Sequence, residues 1–307
     1  MTYELKKAED RLRNIQKVRP ILAALRTISL GSWQMARNRR AGLSAYTDRL
    51  LDLLAVIVPR IAGRRGPAHR GREPAPAGAA PERTVVALVI GSERGLCGRY
   101  NKALAEALSR YLDARAADAE RVELGALGAR LVRELEMADI QPDWQAQLSI
   151  TALPSYGYAY ELVSDWLRRY EAHQLDAVDL IYNADRGAGT YAPRTVRLIP
   201  PEVPATATSE PPVDPVAARM TPTPIIETDP MRLYVRVVEQ WTTIALYRCL
   251  IEAALTEHLA RFQLMESASQ NAEDLIDELM LTVQSARRQA ITREMQELAI
   301  SAGLLNQ

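Results

Sequence analysis

The residues with the most chemical potential sit in one short turn, Gly91-Ser-Glu-Arg-Gly95-Leu-Cys-Gly98, between a β-branched run and a helical pattern. A glycine-containing turn between strand and helix can cradle phosphate, because the first backbone N–H groups of the helix point outward at the positive end of its dipole. The spacing here is neither G-x-G-x-x-G nor a phosphate-binding loop, since the closing Lys-Ser/Thr is missing. Gly95 and Gly98 read instead as permitting a tight turn and close backbone approach. Cys97 stands near the expected helix N-terminus, a position that can favour a thiolate. Nucleophilic catalysis would also need an oriented base. The three histidines are His69 in an interrupted stretch, His173 behind a helix and His258 on a long C-terminal helix, and none has a recognisable partner. No H-E-x-x-H, C-x-x-C or EF-hand loop occurs, so neither a metal nor a cofactor is expected. Asp176 and Asp179 flank the start of a strand and read as surface carboxylates rather than a catalytic pair. The two cysteines, Cys97 and Cys249, read as reduced structural thiols.

The elements that must position this turn fall into five segments. In 1–60, apolar residues recur at Leu5, Leu12, Ile15, Leu22 and Leu25, a stripe along one helix face. At 1.5 Å per residue such a helix reaches roughly 80 Å, longer than a compact domain needs, which suggests a coiled coil or shaft. Pro20 interrupts the pattern and predicts a kink. Residues 61–83, rich in Pro, Gly and Ala, read as a flexible linker. Residues 84–200 alternate strand-like and helix-like runs: strands over Val85–Ile90, Val122–Gly128, Leu148–Ala152, Ala177–Ala184 and Thr195–Pro200, and helices over Lys102–Arg115, Ala129–Met137 and Tyr158–Ala172. That alternation implies a Rossmann-like α/β domain of about five mostly parallel strands. Residues 201–230 form a proline-rich connector, expected to be extended. In 231–307, Ile251, Leu255, His258, Phe262, Met265, Ser269, Ala272, Ile276, Leu279, Val283, Ala286 and Ala290 step by three and four residues. This near-heptad spacing with small residues fits a narrow coiled-coil seam, so the terminal helices are expected to pair antiparallel around the inserted domain.

Composition narrows the functional classes. Acidic and basic side chains balance at 38 each, but the first forty residues are basic, from Lys6 to Arg40. An acidic partner fits this asymmetry. Nucleic acid fits it less well, because few stacking aromatics are interleaved with the charges. No stretch approaches the roughly 18 apolar residues that span a bilayer, and the charged N-terminus does not read as a signal peptide. An intracellular protein without a transmembrane segment of its own is expected.

The segment VVALVIGSERGLCGRYN, Val85 to Asn101, resembles the first strand and turn of F-type ATP synthase gamma subunits, through Ser92, Glu93, Arg94, Gly95, Leu96, Cys97, Gly98, Tyr100 and Asn101. Arg99 replaces the family's usual second glycine. Glu257-His258, Ala260-Arg261 and Met265 fall in register with a second motif, and Asn271 matches the asparagine after it. Ala286-Arg287 and Ile291-Thr292-x-Glu294-Met295 follow a third. Glu227 to Pro230 resembles the family's Glu-Pro-Asp-Pro turn. The chain departs from the pattern at Arg288, where the family has Gln, at Glu266, where lysine is common, at Pro224 and Ile226, where tyrosines are frequent, and over Val18–Leu25.

The resemblance implies a non-catalytic rotor shaft. Paired terminal helices would turn inside a ring of alpha and beta subunits. The α/β domain would bind the epsilon subunit and the membrane rotor c-ring, peripherally at the cytoplasmic face of a bacterial membrane. Ion flow through that ring, of protons or sodium, would drive rotation for ATP synthesis or hydrolysis. By motif position, Arg261, Arg287, Arg288 and Thr292 are expected to meet the catalytic ring, where positive side chains engage acidic loops, and Glu227 the epsilon subunit and rotor ring. Ala299, Ile300, Ala302, Leu304 and Leu305 would supply a small, apolar bearing at the tip. Two other readings stay open at this point: a gamma-like subunit of an alternative ion-pumping rotary ATPase or a regulator of the main enzyme, and a small-molecule-binding α/β protein with helical oligomerisation arms.

Overall fold

The computed structural model describes residues 2–62, 83–149, 152–200 and 228–301. The element order is α1 (Thr2–Ala62), β1 (Thr84–Ile90), α2 (Tyr100–Ala117), β2 (Arg121–Leu127), α3 (Ala129–Glu136), β3 (Trp144–Ala146), α4 (Tyr156–Glu171), β4 (Ala177–Gly187), β5 (Thr190–Ile199) and α5 (Pro230–Ser301). Most of the residues read as linker and connector, and the tip residues Ala302, Leu304 and Leu305, lie outside the described residues. Two compact units are formed, one of 1–31 with 259–307 and one of 32–258.

The larger unit is built on one sheet of order β3-β2-β1-β4-β5. β1 lies centrally because its Val-Val-Ala-Leu-Val-Ile run is apolar on both faces, and from Val85 onward it is fully buried. It pairs in parallel with β2 (Val85 opposite Val122) and with β4 (Val85 opposite Ala177). Val86, Leu88 and Ile90 join Val178, Leu180 and Tyr182 in a core closed by Ala159, Val163 and Trp166 of α4 and Leu246, Leu250 and Ile251 of α5. α2 and α3 supply Leu104, Leu108, Leu131 and Leu135, all fully buried. A second cluster in this unit joins Leu50, Leu54 and Ile57 of α1 to Val237 and Ile244 of α5.

Three strand predictions need correction. The third strand is Trp144–Ala146, not Leu148–Ala152. Gly125 opposite Trp144 leaves the space that the indole fills, since a Cβ there would lie 2.3 Å from the ring. Just past β3 the Leu148 N–H donates to Glu93 instead of a strand, and Ile150 and Thr151 lie outside the described residues. β4 and β5 both run longer than their periodicity suggests and form an antiparallel hairpin, with Gly187 opposite Thr190 across Ala188 and Gly189. Both loop residues have positive φ, 50° and 75°, matching the turn whose twist suits a hairpin.

In the smaller unit, the stripe read from the sequence is the buried one. Met265, Ile276, Leu279 and Val283 of α5 are buried, and Leu5, Leu12, Ile15, Leu22 and Leu25 of α1 are half-buried. The helices run antiparallel, as the ion pairs Arg287–Glu9 (2.6 Å) and Arg26–Glu266 (2.7 Å) require. The second pair explains Glu266: the charge that departs from the family pattern is met by Arg26. Pro20 does not end α1. It and Gln16, whose carbonyl loses its donor, are both exposed, so water can satisfy that carbonyl.

Candidate functional site

The turn between β1 and α2 is held by its own side chains. Asn101 accepts the Ser92 N–H through Oδ1 (3.0 Å) and donates through Nδ2 to Ser92 Oγ (2.8 Å). Cys97 is buried with its Sγ 3.5 Å from the same hydroxyl. Gly95, Leu96 and Gly98 take positive φ values of 75°, 54° and 62°. Arg94 and Leu96 point outward, exposed.

The motif's acidic residue has a structural role at the start of α3. Glu93 Oε2 accepts the Ala129 N–H at 3.1 Å and the Leu148 N–H at 2.9 Å, while the Ser92 carbonyl accepts the N–H groups of Arg130 and Leu131. Protein acceptors thus occupy the first donors of α3, and a carboxylate sits where the helix dipole would favour an anion. A phosphate there would have to displace Glu93.

The motif's aromatic residue ties the turn to α5. The Tyr100 hydroxyl is buried, donates to the Ala253 carbonyl at 2.9 Å and lies 3.2 Å from Thr256 Oγ1. Thr256 Oγ1 also donates to the Asn183 carbonyl at 2.9 Å, and Asn183 Nδ2 donates back to the Tyr100 carbonyl at 3.1 Å. Burial, reinforced by the Glu257 charge, holds the Tyr100 phenol well above its ordinary value, so it stays protonated as a donor. Glu252 on the same helix accepts from the Tyr182 hydroxyl (3.3 Å) and the Asp185 N–H (3.2 Å). α2, β4 and α5 are therefore joined by a buried polar network inside an apolar core, in which Asn183 Oδ1 takes no hydrogen bond from the described residues. Sequence reasoning found Tyr100 only as a motif match and missed its partners.

Asp179 corrects the reading of a surface carboxylate. It is 2% exposed and accepts from the Tyr111 hydroxyl (2.7 Å), Arg115 (3.3 Å) and Arg197. Burial and then the Asp179 hydrogen bond push the Tyr111 phenol upward. Asp176 lies at the edge of the same strand, where its Oδ2 accepts the Thr84 N–H at 2.9 Å.

Burial pushes the Cys249 thiol up to about 11. At about pH 8 its thiolate fraction is then on the order of 0.1%, and alkylation of the native chain by iodoacetamide is expected to be slow until the protein unfolds, as read by mass. The folded-state pKa is raised, so the associated stability is complete below about pH 8.5, the unfolded value. It declines as pH rises toward about 11. Cys249→Ala is expected to flatten that decline when urea midpoints are compared at neutral pH and above pH 9.

The residues read as ring contacts do not form one cluster. Arg261 is buried on α5. Arg287 follows about 39 Å further along the helix axis, with its Nε and Nη2 on Glu9 Oε1 at 3.1 and 2.6 Å. Arg288 and Thr292 are exposed, and the Thr292 hydroxyl donates to the Arg288 carbonyl at 2.9 Å. Glu227 lies outside the described residues. Among the described residues, no group of three or more His, Cys, Asp or Glu side chains is placed to hold a metal ion, and no helix is long and apolar enough to cross a membrane.

A mostly parallel sheet fastened by its first turn to a long C-terminal helix, together with antiparallel terminal helices, defines the class: an α/β domain combined with a long helical pair. The family model described as ATP synthase matches residues 4–304. Its similar relatives include the ATP synthase gamma chains of Anaeromyxobacter sp. strain Fw109-5 (29% identity, covering 98% of this chain and 99% of that one) and of Synechococcus elongatus (26%, 98% and 99%). The fold matches a chain in the Euglena gracilis mitochondrial ATP synthase OSCP/F1/c-ring structure at a TM-score of 0.60 (15% identity, 99% and 95% covered). It also matches one in the Tetrahymena thermophila mitochondrial ATP synthase central stalk/c-ring structure at 0.52 (17%, 81% and 99%). The chain belongs to the ATP synthase gamma family.

Proposed function

We propose that this chain is the central-stalk rotor of an F-type ATP synthase: a non-catalytic shaft that converts proton- or sodium-driven rotation into conformational change in a surrounding ring of alpha and beta subunits. The observation that carries this reading is the fastening of α5 to the sheet by Tyr100, Asn183 and Thr256. A torque applied to the α/β domain needs a stiff connection to the helix that carries Arg261, Arg287, Arg288 and Thr292. A buried polar network in a close-packed core provides one. The epsilon subunit and the membrane rotor ring are the partners assigned to the α/β domain, with Glu227 as a contact. The protein would then sit peripherally at the cytoplasmic face of a bacterial membrane.

Rotation matters because the shaft is asymmetric. Each catalytic subunit meets a different face, and each face shifts that subunit toward a different conformation by its differential contact energy. Mixing the purified chain with alpha and beta subunits of this family tests the reading, with ATP hydrolysis and complex mass measured together. The expected result is one copy per hexameric ring and turnover well above that of the ring alone. Failure to incorporate would remove the shaft role and leave the gamma-like regulator or alternative rotary subunit.

A further inference from the structure

Arg287 of the ring-facing group is held through its guanidinium by a distant part of the chain. A guanidinium offers donors in one plane along a side edge, Nε with one Nη, and along an end edge, the two Nη atoms. Glu9 takes the side edge: its Oε1 accepts from both Nε (3.1 Å) and Nη2 (2.6 Å). The end edge, which can likewise bind a carboxylate bidentately, is not used by this contact. The Arg287 side chain is 62% exposed and that of Glu9 31%, so the carboxylate lies nearer the helix pair and the guanidinium projects beyond it.

From this geometry we infer that Glu9 is a positioning residue for Arg287, holding the guanidinium by its side edge so that its end edge faces a carboxylate of the catalytic ring. The inference rests on the rotor reading above. A free arginine side chain must lose rotamer freedom when it engages a partner. Glu9 removes part of that freedom before the ring is met. In sequence Glu9 and its neighbour Asp10 are flanked by Lys6, Lys7, Arg11 and Arg13. The first helix thereby contributes to a contact that motif position assigns to the last helix alone.

The test uses the full chain assembled with alpha and beta subunits. Glu9→Ala removes the acceptor while keeping strong helix propensity. It is expected to lower ATP turnover roughly two- to fivefold, the range for an exposed ion pair, with unchanged incorporation and unchanged melting of the chain. In an Arg287→Ala background the same substitution is expected to change turnover by less than about 1.5-fold, because a positioning residue has nothing left to position. Glu9→Gln, which keeps an acceptor oxygen without the charge, is expected to fall between the parent and Glu9→Ala. Unchanged or raised turnover in Glu9→Ala, an equal loss with and without Arg287, or a Gln variant no better than Ala would each overturn the inference. Failure of the parent chain to enter the ring overturns the rotor reading and this inference with it, whereas an active parent complex with an indifferent Glu9 overturns only the latter.

Discussion

Asp179→Ala is expected to destabilise the chain by about 3 kcal/mol, the lower end of the range for breaking a buried ion pair. The carboxylate is almost fully buried, and three donors converge on it from α2 and β5. Its removal leaves two guanidiniums facing each other and a buried phenol without an acceptor. The low end applies because the Arg115 and Arg197 side chains are 24% and 32% exposed, so water can reach part of each. Urea unfolding at neutral pH measures the loss. An independent readout is the phenol itself. Burial and then Asp179 raise Tyr111, so alkaline ultraviolet titration of the variant should show one tyrosine ionising at lower pH than in the parent. A stability change below about 1 kcal/mol would mean that solvent at the outer ends of the arginines absorbs most of the charge.

A comparable or larger effect is expected at Gly128. This residue precedes α3 at φ 103°, and a Cβ built there would lie 2.6 Å from the Ser92 carbonyl oxygen and 3.0 Å from that of Gly91. Both obstacles are backbone and cannot rotate away. Gly128→Ala therefore combines backbone strain of about 1–3 kcal/mol with steric overpacking of similar size. It would also break the acceptor set, Ser92 and Glu93, that holds the start of α3. Gly98→Ala is the control: φ is again positive, 62°, but no atom lies within 4 Å of the added carbon. Only the left-handed penalty of roughly 1–2 kcal/mol applies there. The expected order, Gly128→Ala far more damaging than Gly98→Ala, is read from denaturant midpoints and from the yield of folded chain. Equal effects would show that the close approach of the β1 turn to α3 relaxes freely.

By itself the sequence determined what is local and periodic. The terminal helices were legible because their stripes repeat every three or four residues over many turns, and Leu12, Ile15, Ile276, Leu279 and Val283 all lie where that repeat puts them. β1 was legible as an unbroken β-branched run, and the turn after it as a motif. Even Pro20 was readable as an anomaly, though not its outcome, since a helix survives a proline when the orphaned carbonyl faces water.

Tertiary structure alone decided how distant residues meet. β3 was misplaced because a strand at Trp144 depends on the space left by Gly125, a residue on another strand. Asp179 was misread because its partners Tyr111 and Arg115 lie 68 and 64 residues away. A lone charge inside an apolar run was the only hint. The network from Tyr100 to Thr256 spans 156 residues, Arg26 to Glu266 spans 240, and Glu9 to Arg287 spans 278. No local pattern encodes such pairs. Their energies depend on burial and on the geometry of two side chains at once, and both exist only when the helices and the sheet are in place.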